Sequence, residues 1–230
     1  MPEWIPVVDW MAFNHLDGGA GVERAFTIAY KITDDGNELW SARFNRFKAK
    51  EPEAFAGAAT MMRAAIPRLV AALNMNLAET VFVPALASAE TYATEKGFMP
   101  TLARICAEAA GVRFELSALS KHPHNPIHGI FGAAERDAEL DKAAYVSKAL
   151  KATNIFVFDD FITRGSTQSR IAQAIQATTP DAKVYAIALA KTERRSYWGA
   201  LSNDHVAGEW GELWQMGEKR YRERKVGGKP

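Results

Sequence analysis

The sequence predicts an α/β protein with an open, twisted parallel sheet flanked by helices. Three short apolar runs, 80–84, 154–160 and 183–190, have the length and composition of strands buried on both faces. Between them, 102–110 and 167–177 carry apolar residues at helical spacing. Strands that alternate with helices form βαβ units, and these close into a parallel sheet.

In chain order, a Gly-rich lead (Leu16 to Gly21) precedes AFTIAYKI, read as a strand over 25–32. Thr33 to Asn37 has turn chemistry, and LWSARFNRF at 39–47 alternates apolar with polar side chains, which predicts a β-hairpin. From Pro52 to Asn74, Phe55, Ala59, Met62, Ile66 and Leu69 recur at helical spacing, with Pro67 expected to kink or end the helix. Hairpin and helix together define a small hood region, 1–75. The strand 80–84 opens a core over 76–192; it continues through the helix 102–110, capped by Gly111, to a strand at 113–119. Residues 121–129, with two prolines and three histidines, read as irregular, and 134–150 as a charged helix. The strand 154–160, the helix 167–177 and the strand 183–190 complete the core, leaving 193–230 as an extension with a basic tail.

Composition excludes several classes. A chain of 230 residues with 48% hydrophobic and 24% charged content is globular, and a net charge of +1 provides no global field toward nucleic acid or anionic membrane. Cys106 is the single cysteine, so no disulfide and no cysteine zinc site forms within the chain. The start, MPEWIPVVDW, lacks the features of a secretory leader, and no apolar run reaches membrane-spanning length. The expectation is a soluble, cytoplasmic protein with no membrane partner.

The chemistry concentrates in IFVFDDFITRGST, 155–167. A buried strand ends in Asp159 and Asp160, and a short bend, Thr163 to Thr167, opens a helix. Ligands of open α/β sheets bind beyond the carboxyl ends of the strands, where this acid pair falls. The bend offers backbone N–H groups at a helix start, Gly165 allows close approach, and Thr163, Ser166 and Thr167 add hydroxyls, together a phosphate cradle. Four or five charge-assisted hydrogen bonds there supply about 6–15 kcal/mol gross, enough to hold a phosphorylated metabolite. Two adjacent carboxylates repel each other unless hydroxyl donors or a cation compensate. A ribose diol, with or without Mg²⁺, meets that need, so the segment describes a ribose 5-phosphate pocket.

This run resembles the phosphoribosyl pyrophosphate signature of type I phosphoribosyltransferases: four hydrophobic residues, two acids, two hydrophobics, then Thr-Thr-Gly-x-Thr. Arg164 stands at the second Thr position, exchanging a hydroxyl for a cation. VFVPAL (81–86), KGF (96–98), AERD (134–137) and ALAK (188–191) are similar to segments of the competence protein F branch, so the likeness covers roughly 25–192. Asp137 stands where that branch usually has Asn, and the branch's cysteine zinc ribbon has no counterpart here.

The resemblance implies a Mg²⁺-dependent transfer of the phosphoribosyl group to a nitrogen nucleophile, with displacement of pyrophosphate. Asp159 and Asp160 would hold the ribose hydroxyls and, indirectly, Mg²⁺; Thr163, Arg164, Gly165, Ser166 and Thr167 would hold the 5-phosphate. The loop from Ala85 to Glu90, with Ser88 its leading side chain, would face pyrophosphate. Lys96, Lys121 and Arg136 are its candidate cations, or else ordinary surface charges. Lys121 falls where such enzymes place a mobile hood. The alternative is a non-catalytic phosphoribosyl pyrophosphate-binding or DNA-uptake accessory protein.

His122, His124 and His128 are separated by prolines, which argues against a metal site and for a solvated loop or a single substrate contact. Cys106 reads as a small buried apolar residue. Near the carboxyl end, Trp210 and Trp214 precede Lys219, Arg220, Arg222, Arg224, Lys225 and Lys229. Such a tail binds single-stranded nucleic acid or is merely solvated, with the tryptophans packed on the domain. An exposed hairpin edge leaves room for a homodimer.

Overall fold

A computed structural model describes residues 3–127 and 130–227; His128 and Lys229, named above, fall outside them. Strands β1 (Ile5–Val7), β2 (Trp10–Phe13) and β3 (Val22–Ile32) lead into helices α1 (Leu39–Lys48) and α2 (Pro52–Ala72). Then follow β4 (Thr80–Pro84), α3 (Phe98–Ala110), β5 (Arg113–Phe114), β6 (Leu119–Ser120), α4 (Ala133–Asp141) and β7 (Val146–Ser147). The chain continues through β8 (Asn154–Ile162), α5 (Ser166–Thr178), β9 (Lys183–Glu193), α6 (Arg195–Trp198) and α7 (Gly208–Gly227).

The main sheet runs β1-β2-β3-β9-β8-β4-β5, and β6 with β7 makes a separate antiparallel pair. From β3 to β5 every pairing is parallel; only β1–β2 and β2–β3 are antiparallel. Fold class is therefore α/β with a mainly parallel sheet, as the apolar runs require. All five residues of β4 are buried. In β8, Phe156 and Phe158 face one layer, with α2, α3 and α7, while Ile155 and Val157 face the other, with α5. Gly111 closes α3 in the left-handed region, φ 68°, and Cys106 is buried in the α3 interface as expected.

Several expectations need correction. The second arm of the hairpin is helix α1, not a strand: Glu38 caps it by accepting from Trp40 and Ser41 N–H, and Trp40, Phe44 and Phe47 recur at 4 and 3 residues on its buried side. The first arm, β3, lies inside the sheet beside β9, and the amino-terminal hairpin is β1–β2 instead. Pro67 does not end α2, which runs on to Ala72. Of the expected strand 113–119, only Arg113–Phe114 pairs with β4. The charged helix expected over 134–150 stops at Asp141.

The carboxyl-terminal helix α7 belongs to the body of the fold. Trp210 and Trp214 are both 0% exposed, so neither ring is available to a base. Trp214 donates from Nε1 to Glu218 (2.8 Å), and Arg46 from α1 reaches the same carboxylate at 2.9 Å. No described helix is long and apolar enough to cross a membrane.

Candidate functional site

The sheet order fixes where a crevice must open. From β4 the chain crosses through α3 on one face and moves outward to β5. From β8 it crosses through α5 on the other face and moves the opposite way, to β9. The connections diverge between β4 and β8, and such a switch point leaves a gap beyond the strand ends. A cavity of about 180 Å³ lies there, lined by Asp159 and Asp160, by Ala85, Leu86, Ala87 and Glu90 after β4, by Lys48 and Lys50 at the end of α1, and by the start of α3.

The two carboxylates leave opposite faces of β8, as neighbours on a strand must. Asp159 turns toward α5: its Oδ2 accepts from Gln168 Nε2 (2.7 Å) and its Oδ1 from the Asp160 N–H (2.8 Å). Asp160 turns toward α1: its Oδ1 accepts from the Phe161 N–H (2.7 Å), and Lys48 Nζ stands 3.6 Å from its Oδ2. Burial, reinforced by the neighbouring Asp160 charge, drives the Asp159 carboxyl well above the usual carboxylate range. Tyr145 lies close enough for the charges of Asp159 and Glu90 to add to the upward push that burial gives its phenol, and its hydroxyl has no hydrogen-bond partner among the described residues.

The loop after β4 is tied down by its own backbone. Ala85 N–H donates to Phe158 O (2.9 Å), and Ala87 N–H to the Glu90 carboxylate (2.8 Å). Ser88 takes part through its carbonyl, which accepts from Lys121 Nζ (2.8 Å) and from His124 N–H (3.0 Å). Lys121 is thus not a surface cation. It is 3% exposed, burial lowers its pKa against the opposing pull of Glu90, and its second contact is the His122 carbonyl at 3.3 Å. Arg136 donates from Nε to the Ile130 carbonyl (2.7 Å). Lys96 is exposed two residues before α3.

The bend has the expected free donors but also a cover. Among the described residues, the amides of Thr163 through Thr167 donate no hydrogen bond, and Gly165 has φ 86° at the start of α5. Residues 16–20 lie over it, however. Gly18 N–H donates to Arg164 O (2.8 Å), and a Cβ placed on Gly18 would stand 2.4 Å from Ser166 Oγ. Leu16 packs on Gly165, and Ser169 Oγ donates to Ala20 O (2.7 Å). The acids and the start of the bend also do not share one cavity: Thr163 and Arg164 line a second, of about 400 Å³, together with Leu16 and Asp17. The acid pair and the start of the bend therefore line separate cavities, and the Gly-rich lead covers the bend.

Lys48, Gln168 and Tyr145 escaped the sequence reading. Gln168 was accessible in principle, as a polar residue in the first turn after the acid pair. Lys48 was not, since its segment reads as a strand. For Mg²⁺, three of the four carboxylate oxygens of the acid pair already accept hydrogen bonds, leaving Asp160 Oδ2. One carboxylate oxygen plus substrate phosphates and waters is a donor set that Mg²⁺ accepts. Among the described residues, no group of three or more His, Cys, Asp or Glu side chains is placed to hold a metal by itself. No protein-family model matches the chain, and no curated protein matches it.

Proposed function

We propose that the chain is a phosphoribosyltransferase, transferring the ribose 5-phosphate unit of phosphoribosyl pyrophosphate to a nitrogen nucleophile. One observation carries this reading: the acid pair and the loop after β4 line one crevice at the switch point between β4 and β8. In this reading the C1–O bond to pyrophosphate breaks, pyrophosphate leaves with the electron pair, and a C1–N bond forms. Charge development at C1 calls for fixed negative charge nearby and exclusion of water. Asp160 supplies the charge at the crevice, with Oδ2 free for a ribose hydroxyl once Lys48 swings aside. Gln168 and the Asp160 amide hold Asp159 in place behind it. Mg²⁺, held by Asp160 and the substrate phosphates, would neutralise the leaving group. Lys121 positions the loop after β4 rather than reaching the leaving group, because its ammonium is buried and bonded to two carbonyls. The 5-phosphate takes the amides of Thr163 to Thr167 when residues 16–20 lift from the bend.

That cover favours a second reading, in which the chain binds the phosphoribosyl ligand without turning it over. Incubation with phosphoribosyl pyrophosphate, Mg²⁺ and a panel of nucleobases and amines separates the two. Pyrophosphate release supports the transferase, and calorimetric binding without release supports the binding protein. In either case Asp160→Asn abolishes binding; unchanged affinity in that variant, or no binding by the wild-type chain, overturns both.

A further inference from the structure

We propose that Tyr145 is a positioning residue for the acid pair: its hydroxyl donates to the Asp159 carboxylate when a phosphoribosyl ligand draws the loop after β4 onto the crevice. This rests on the ligand reading above and adds to it a residue of the β6–β7 ribbon. The Tyr145 ring packs against the cluster that holds Ala85, Leu86, Val157 and Ile171, in the layer toward which Asp159 turns. Its hydroxyl is buried there and has no hydrogen-bond partner among the described residues. Phenylalanine would fill the same space without burying an unpaired hydroxyl, so the oxygen costs stability that packing does not explain. The backbone is costly too. Ala144, immediately before, has φ 44°, a strained conformation that persists only where the surroundings enforce it.

The surroundings name its partner. Burial first, and then the charges of Asp159 and Glu90, push the Tyr145 phenol up, so both carboxylates stand within electrostatic reach of the hydroxyl. A carboxylate has about four acceptor positions. Asp159 uses two of them, for the Asp160 N–H and for Gln168 Nε2. The chain also supplies a way to close the gap. Asp159 sits on the main sheet, whereas Tyr145 leads into β7 of the separate ribbon. That ribbon hangs on the loop after β4: Lys121 N–H donates to Thr91 O (2.9 Å), and Lys121 Nζ to Ser88 O (2.8 Å). His122 N–H in turn donates to Ala143 O (2.7 Å), close before Tyr145. A ligand that moves this loop therefore carries Tyr145 relative to the sheet. Glu90 belongs to the same loop, so its distance from Tyr145 changes little. Asp159 is the carboxylate that the hydroxyl can approach.

Tyr145→Phe, which keeps the ring and removes the hydroxyl, tests it in the full chain. Without ligand, denaturant unfolding finds the variant at least as stable as the wild type, because an unpaired buried polar atom is gone. Calorimetry with phosphoribosyl pyrophosphate and Mg²⁺ finds binding weakened about tenfold or more, the effect of one hydrogen bond to a charged group. Near-ultraviolet difference spectra of the wild type show a tyrosine red shift on ligand binding that the variant lacks. Affinity lost without loss of stability is a combination that a merely structural residue does not give. A variant that unfolds at lower denaturant than the wild type shows the hydroxyl already bonded without ligand, and overturns the inference. Wild-type affinity in the variant, or a red shift that survives in it, overturns the inference and leaves the ligand reading in place. Absence of binding by the wild-type chain overturns that reading, and this inference with it.

Discussion

Asp159→Asn tests the electrostatics of the crevice without any ligand. Burial first, and the Asp160 charge second, push the Asp159 carboxyl up to about 8 in the folded chain, against about 3.9 for an unfolded aspartate. The folded state therefore keeps a proton through a pH window in which the unfolded state has lost it. The unfolded chain binds fewer protons there, so stability falls as pH rises from about 4 toward 8. Each unit is worth about 1.4 kcal/mol, so by pH 7 the loss reaches about 4 kcal/mol as an upper bound. Partial solvent access at the crevice reduces it toward 1–2 kcal/mol, in order of magnitude. Asparagine keeps the shape, still accepts from the Asp160 N–H, and meets Gln168 through a rotated amide. Denaturant unfolding at pH 5, 6, 7 and 8 reads the difference. The wild-type midpoint falls across this series, whereas that of Asp159→Asn stays nearly level and exceeds the wild-type value at pH 8. A level wild-type series, or an equal fall in the variant, refutes the reasoning.

Lys48→Met removes the cation 3.6 Å from Asp160 Oδ2; at pH 5 it changes stability by less than about 1 kcal/mol, as expected of an exposed pair, and it steepens the fall between pH 6 and 8 in the same unfolding series. Gly18→Ala places a methyl 2.4 Å from Ser166 Oγ and costs about 1–3 kcal/mol; if residues 16–20 compete with the 5-phosphate, calorimetry on this variant also shows tighter ribose 5-phosphate binding than on the wild type. Trp214→Ala opens a cavity under α7 and leaves Glu218 without one of its donors, for a loss of about 3–5 kcal/mol by chemical denaturation. Glu218→Gln weakens the ties to Arg46 and Trp214 together and lowers the midpoint by a smaller amount.

The parallel core was legible because its signal is redundant. In β4, β8 and β9 the apolar runs are long enough to exclude other readings, and α3 and α5 carry clean helical spacing with glycines at their boundaries. Residues 39–48 were misread because alternation and helical spacing coincide there: Trp40, Ala42 and Phe44 satisfy period two, whereas Trp40, Phe44 and Phe47 satisfy the helix. Glu38 decides between them, since its carboxylate takes two orphan amides that a strand would not present. Hidden by the same error was Lys48, the cation nearest the acid pair. The amino-terminal hairpin was masked differently: its turn passes through Val8 at φ 55°, a conformation that β-branched residues rarely adopt and that no turn motif announces.

The division of the expected pocket follows from long-range packing that local motifs do not encode. The bend Thr163 to Thr167 has the composition of an anion cradle whether or not another segment lies on it. What seats residues 16–20 there is the position of β3: because it pairs with β9 rather than with 39–47, its preceding loop must pass the start of α5. A Gly-Gly tip can approach Ser166 more closely than any side chain would allow. The same route brings β1 and β2 beside Thr163, and that creates the second cavity. Misplacing one strand therefore accounts for both the cover over the bend and the second cavity. Any variant that frees residues 14–21 from α5 should alter ligand access to the bend and the shape of the larger cavity together, whereas the crevice at Asp160, fixed by β4, β8 and α3, should keep its form.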